Sequence, residues 1–160
     1  KAFDLFAELN VMNHTEVESR YEIELEDYIK KVQIEGRVLG DIVRNHIIPT
    51  AFKYQNLLIE NIKGLKDIFG DSYEELAAEQ ILILKKTSMH VNELNAKLHA
   101  MMDARKEANS LDSVEKMAHA YCDNVKPYFD EIRYHADKLE LMVDNELWTL
   151  TKYRELLFTR

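Results

Sequence analysis

Arg44-Asn45-His46-Ile47-Ile48-Pro49-Thr50-Ala51 is the stretch on which the fold turns. Proline removes one helical hydrogen bond and its ring clashes with the carbonyl one turn back, so Pro49 must either break a helix or kink one. On its N-terminal side an apolar stripe runs Tyr21, Leu25, Tyr28, Val32, Gly36, Leu39, Val43, Ile47. Steps of four and three mark a packed helix face. Beyond the proline the pattern resumes at once through Phe52, Leu57, Leu58, Ile62 and Leu65, and no turn residues flank Pro49 on either side. The pattern therefore predicts one long helix, kinked at Pro49 and stopped at Phe69-Gly70. Gly36 on the stripe costs about 1 kcal/mol against alanine, which implies a close approach by a second helix.

The rest of the chain has the same character. Four glycines and two prolines in 160 residues leave little room for turns. Residues 2 to 9 read as a short helix ending at Asn10. Thr15-Glu16-Val17-Glu18 has the form of a capping box for the long helix. Asp71-Ser72-Tyr73-Glu74-Glu75 offers two overlapping caps for the next helix. Its apolar face is expected along Ala77, Ile81, Leu84, Ser88, Val91, Asn95, Leu98 and Met102. Asn109-Ser110-Leu111-Asp112 closes that helix, and Asp112 with Glu115 is expected to cap the last long one. There the stripe is Val114, Ala118, Tyr121, Val125, Tyr128, Ile132, Ala136, Leu139, Val143, running through Pro127, which should bend the helix without ending it. Leu147-Trp148-Thr149-Leu150 reads as a turn into a short helix from Lys152 to Phe158. Long helices with short links pack antiparallel. The fold class expected is all-α, an antiparallel bundle of three to four long helices whose first long helix is proline-kinked. It forms a single domain over residues 1–160, cut from a longer protein.

Composition excludes more functions than it suggests. The chain has 29 acidic and 21 basic residues, a net charge of −8, the wrong sign for nucleic acid or an anionic membrane. The basic pairs Lys30-Lys31, Lys85-Lys86 and Arg105-Lys106 are scattered and read as solvated faces. No apolar run approaches the ~20 residues of a membrane span. Cys122 is the one cysteine, which rules out an internal disulfide and fits a reducing cytoplasm. Its neighbours Tyr121 and Val125 place it on an apolar face, so burial is expected. Phosphate loops need clustered glycines, whereas Gly36, Gly40, Gly64 and Gly70 are isolated and read as packing or termination sites.

Six histidines raise a metal hypothesis. A di-iron bundle needs Glu-x-x-His on two helices, and none of His14, His46, His90, His99, His119 or His135 has a glutamate three residues before it. Glu115/His119 and Glu131/His135 are four apart, the spacing of ordinary surface pairs. The acidic run Glu22-Ile23-Glu24-Leu25-Glu26-Asp27 reads as a solvated helix start. Met89, Met101, Met102, Met117 and Met142 read as core filler. Tyr128, Phe129, Tyr134 and Trp148 suit either core or an assembly surface. Arg44, Asn45 and His46 beside Pro49 are expected to bond the carbonyls that the proline frees, with a small polar docking site as the sharper alternative.

Several phrases carry a family likeness. Glu18-Ser19-Arg20-Tyr21-Glu22-Ile23-Glu24-Leu25-Glu26 resembles the C-terminal region of type III glutamine synthetases, as do Arg44 to Ala51 and Lys53-Tyr54-Gln55-Asn56. The strongest likeness runs from Val125-Lys126-Pro127-Tyr128-Phe129-Asp130 through Arg133-Tyr134-His135 to Glu140, and resumes from Leu147 to Phe158. The resemblance implies a bacterial parent enzyme, a glutamate–ammonia ligase that joins ammonia to glutamate using ATP, with magnesium or manganese steadying the phosphates. It implies that the active site lies in upstream domains and forms between subunits of a ring-shaped homo-oligomer. Residues 1–14 would then lead from the catalytic domain. No catalytic, cofactor-binding or metal residue is assigned to these positions. The expected role is non-catalytic: stability, assembly or regulation in a cytoplasmic enzyme, with the upstream domain and neighbouring subunits as partners. A free-standing helical interaction or ligand-sensing module is the alternative.

Overall fold

Both prolines are absorbed without a break in the helix, and by the same device. In the computed structural model, which describes residues 2–9 and 11–158, α2 (His14–Ile42) passes into a π-helical segment, π1 (Val43–Ile47), and then α3 (Ile48–Phe69). The Ile48 amide donates to the Val43 carbonyl, five residues back. The wider turn lets the ladder step past the carbonyl that Pro49 would otherwise strike. The same sequence of events surrounds Pro127. α6 (Val114–Ala120) widens into π2 (Tyr121–Val125), the Lys126 amide donates to the Tyr121 carbonyl at 3.0 Å, and α7 (Pro127–Met142) begins on the proline. Each proline thus occupies the first turn of a new α segment, where a missing amide costs least.

The remaining elements are α1 (Ala2–Glu8), a 3₁₀ turn at Gly70–Ser72, α4 (Tyr73–Leu76), α5 (Ala78–Asn109) and α8 (Tyr153–Leu156), with no strand among the described residues. The chain is all-α, as its spacing predicts. Gly70 ends α3 with φ 56°, a conformation that side chains with a Cβ resist. Asn10, the expected end of the first helix, lies outside the described residues.

Two expected caps sit elsewhere, and Ser72 forms none ahead of α4. α2 is capped by Asn13: its Oδ1 accepts from the Glu16 amide at 2.9 Å, and Glu16 Oε2 accepts from the Asn13 amide at 2.8 Å. Thr15 falls inside the first turn, because Asn13 with Glu16 satisfies two orphan amides and Thr15 comes too late to do so. Neither Phe69 nor Ser72 caps through its side chain ahead of α4. α6 is capped by Ser113, whose hydroxyl accepts from the Lys116 amide, while Asp112 pairs with the Lys116 ammonium at 3.1 Å.

The chain packs as two compact units, each drawn from separated stretches: Lys1–Arg37 with Met101–Pro127, and Val38–Ala100 with Tyr128–Arg160. The first unit is centred on Ile29, Val32, Met101, Ala108, Ala118, Tyr121 and Val125, all buried. Gln33 Nε2 donates to Asn109 Oδ1 at 2.9 Å, and the buried Tyr121 hydroxyl donates to the same oxygen at 2.7 Å. Cys122 is exposed, contrary to expectation. π2 buries its first and last residues and turns the three between them outward, so adjacency to Tyr121 does not carry Cys122 inward. Burial, and next the Cys122 thiol, push the Tyr28 hydroxyl up to about 12.

In the second unit the buried set includes Val43, Ile47, Ala51, Leu58, Val91, Leu94, Leu98, Ile132, Leu139, Val143 and Trp148. Gln55 donates to Ser88 at 2.8 Å, and a Cβ added at Gly40 would meet Leu98 at 3.5 Å, so α2–α3 and α5 run antiparallel here. His90 meets His135 and Lys97 meets Glu131, so α5 and α7 also run antiparallel. α5 is therefore the middle helix of this unit. Its buried positions are Thr87, His90, Val91, Leu94, Leu98, Met101 and Ala108, shifted by one from part of the expected stripe, with Asn95 exposed. A helix with apolar neighbours on two sides carries apolar residues around most of its circumference, and a single stripe cannot be picked from it.

Candidate functional site

A cluster of titratable side chains lies in the second unit, where α5 crosses α7. α5 supplies His90, Glu93 and Lys97 at helical spacing; α7 supplies Asp130, Glu131, Tyr134, His135 and Lys138. Glu93, Lys97, Asp130, Glu131, Tyr134 and His135 line an open groove of about 500 Å³. Three carboxylates against one ammonium make its wall acidic. Lys97 Nζ reaches Glu131 Oε2 at 2.7 Å, and this bond raises the lysine above its ordinary pKa. At the inner edge, His90 Nδ1 and His135 Nδ1 stand 2.9 Å apart. Tyr134 presents its ring edge-on to both imidazoles, with centroids 6.4 Å and 5.1 Å away, and Lys138 Nζ lies 5.3 Å over the tyrosine ring. His90 is 8% exposed. Burial first, then His135 and Lys138, hold its pKa below the ordinary histidine value.

This geometry corrects the expected pairing of Glu131 with His135. Glu131 is taken by Lys97, whose ammonium on the facing helix makes a charge-assisted bond, while His135 faces His90. Glu115 accepts from the Tyr21 hydroxyl at 3.3 Å. Asn45 and His46, expected to turn back on the carbonyls freed by Pro49, are engaged elsewhere. Asn45 donates to Asp41 and His46 Nδ1 lies 3.5 Å from Thr149 Oγ1, since the π turn already relieves the clash they would have served. Gly64 meets nothing within 4 Å and so is neither a packing nor a termination site. Met101 is buried but Met89 is half exposed; Trp148 is buried and Tyr134 exposed. The acidic residues from Glu22 to Asp27 are solvated, as expected.

A second arrangement was invisible in the sequence. Lys152 is 8% exposed, and its ammonium donates to the carbonyls of Glu140 at 2.7 Å and Val143 at 3.2 Å, 5.7 Å from the Trp148 ring centroid. A cation at the end of α7 meets the negative pole of the helix, an interaction worth up to about 2 kcal/mol when partly buried. The Lys152 amide donates to Glu155 at 3.1 Å, and Tyr153 is held by Glu140 and Arg133. The cluster anchors the tail and presents no reactive group.

Chemically, the groove can hold or release a proton and attract a cation. Among the described residues no group of three or more His, Cys, Asp or Glu side chains is placed to hold a metal ion. No helix there is long and apolar enough to cross a membrane.

Known proteins resemble this chain in sequence. The glutamine synthetase C-terminal domain family matches residues 1–66. A glutamine synthetase of Bacteroides fragilis is 46% identical over 151 residues, 94% of this chain and 21% of that protein. A type-3 glutamine synthetase of Dictyostelium discoideum is 32% identical across the whole chain, 22% of its own length. One from Butyrivibrio fibrisolvens is 25% identical over 99% of the chain. The chain thus spans about a fifth of the length of the curated relatives it matches. Its all-helical fold and a match confined to the C-terminal part of those enzymes agree, and the chain belongs to the C-terminal domain family of the glutamine synthetases.

Proposed function

We propose that these residues are the non-catalytic helical C-terminal domain of a type III glutamine synthetase, serving its stability, assembly or regulation. The parent would join ammonia to glutamate with ATP. ATP and magnesium or manganese would be held upstream, and the partners here would be the catalytic domain and neighbouring subunits of a ring-shaped, cytoplasmic homo-oligomer. The observation that carries this reading is the extent of the match: nearly all of this chain against about a fifth of the relative. The type III assignment leans on the Dictyostelium relative, whose name carries it. The chemistry of the chain is compatible with a supporting role. The groove between α5 and α7 holds a satisfied ion pair and borders paired imidazoles, and the glycines do not cluster into a phosphate loop.

Two assays test the proposal. The 160-residue chain, supplied with ATP, magnesium, glutamate and ammonia, should form no glutamine; turnover would refute the non-catalytic reading. Removing the segment from the full-length parent should lower its ring assembly or thermal midpoint. A truncated enzyme with the same number of subunits and unchanged midpoint and kinetics would remove the supporting role as well.

A further inference from the structure

The His90–His135 contact has a stoichiometry that the other contacts of the second unit lack. A hydrogen bond between two Nδ1 atoms needs one proton on one ring and a lone pair on the other. At 2.9 Å it is well formed with one proton. The first added proton can occupy the far nitrogen of the donor ring and leaves the bond intact; a further proton fills the acceptor Nδ1, removes its lone pair and sets two cations face to face. We propose that this pair is a proton-operated latch on the α5–α7 seam, closed near neutral pH and released by mild acid.

The surroundings favour that behaviour. From α7, Lys138 adds positive charge, Tyr134 covers both rings edge-on, and the nearby acids are Asp130 and Glu131, the latter engaged by Lys97. From α5, Glu93 lines the open groove on the solvent side. From α3, Gln55 bonds Ser88 and brings no charge. His90 is buried and its pKa is lowered, mainly by burial. A group with a depressed folded pKa binds its proton more readily in the unfolded chain. Its stabilising contribution is therefore complete above the ordinary histidine value of about 6.5 and is lost as pH falls from there through the folded pKa. A metal is the competing occupant of two facing imidazoles. A tetrahedral zinc at ~2.0–2.1 Å from each nitrogen would require the rings to part by roughly half an ångström.

The latch does not depend on the identity of the parent enzyme. Its test is the His135→Asn variant, which places an amide near the Nδ1 position and can donate to neutral His90 or accept from charged His90. Thermal unfolding of the 160-residue chain is followed at pH 7.5 and 5.5. The wild type should lose roughly 3 °C more than the variant between these conditions. Amide exchange, corrected for intrinsic pH dependence, should accelerate around residues 90 and 135 in acid while the amides near Tyr121 keep their protection. His90→Asn should behave like His135→Asn, which covers the case where one variant folds poorly. Equal pH dependence in wild type and both variants would overturn the latch. So would a rise in the wild-type midpoint with one equivalent of zinc that either variant abolishes, since the pair would then be a metal chelate.

Discussion

π1 in the second unit and π2 in the first answer one local problem with different material. Each lies six to two residues ahead of a proline, and each buries its first and fifth residues while exposing the three between. In π1 the buried anchors are aliphatic, Val43 and Ile47. In π2 they are Tyr121 and Val125, and the tyrosine hydroxyl is tied to Asn109. The proline and the π turn set where side chains point. The neighbouring helices decide how much each anchor contributes. Pro49 is partly buried and Pro127 exposed, yet the backbone solution is the same, so the device is a property of the helix and not of its surroundings.

Truncating the anchors should separate the two segments most strongly. Tyr121→Ala should cost about 3–5 kcal/mol, the range for emptying a large aromatic site. Val43→Ala should cost roughly 2 kcal/mol, since less apolar area is lost. Urea unfolding of the chain measures both, and equal losses would break the contrast. A smaller effect isolates the polar tie. Tyr121→Phe keeps the ring and deletes the hydroxyl, while Asn109 is exposed and can turn to water, so about 1 kcal/mol should be lost with the slope of the transition unchanged. A loss as large as that of the alanine variant would show that the ring itself is mispacked without its anchor. The smallest effect belongs to the outward residues. Cys122→Ser should shift stability by less than about 0.5 kcal/mol. The native thiol should react with a disulfide reagent nearly as fast as in the unfolded chain. Protection of Cys122 would mean that π2 does not share the burial pattern of π1.

Legibility in the sequence followed the number of neighbours each helix has. The stripes from Val32 to Ile47 and from Ala118 to Val143 are read correctly, because each of these helices shows one apolar face and one polar face. α5 defeats the same procedure: Asn95 is outside, Thr87 and Leu94 inside, and only a packed neighbour on each side explains it. Caps slip by one or two residues where Asn13, Thr15, Asp112 and Ser113 all have suitable oxygens, and the choice rests on which amide each can reach. The proton-sharing site was out of reach. His90 and His135 lie 45 residues apart, and Glu131 at helical spacing offered a plausible but incorrect partner. Lys152, a charged residue beyond the last long helix, gave no sign that it would be buried.

Residue spacing alone determined that the chain is helical, that long apolar stripes run from Val32 to Ile47 and from Ala118 to Val143, and that neither proline ends its helix. These are local properties, set by steps of three and four residues and by the scarcity of breakers. Tertiary packing decided the rest: which face of α5 is interior, which histidines share a proton, and that a lysine should sit on the carbonyl end of α7. Such choices depend on side chains from distant positions meeting where water is excluded, so their energies exist only once the helices have come together.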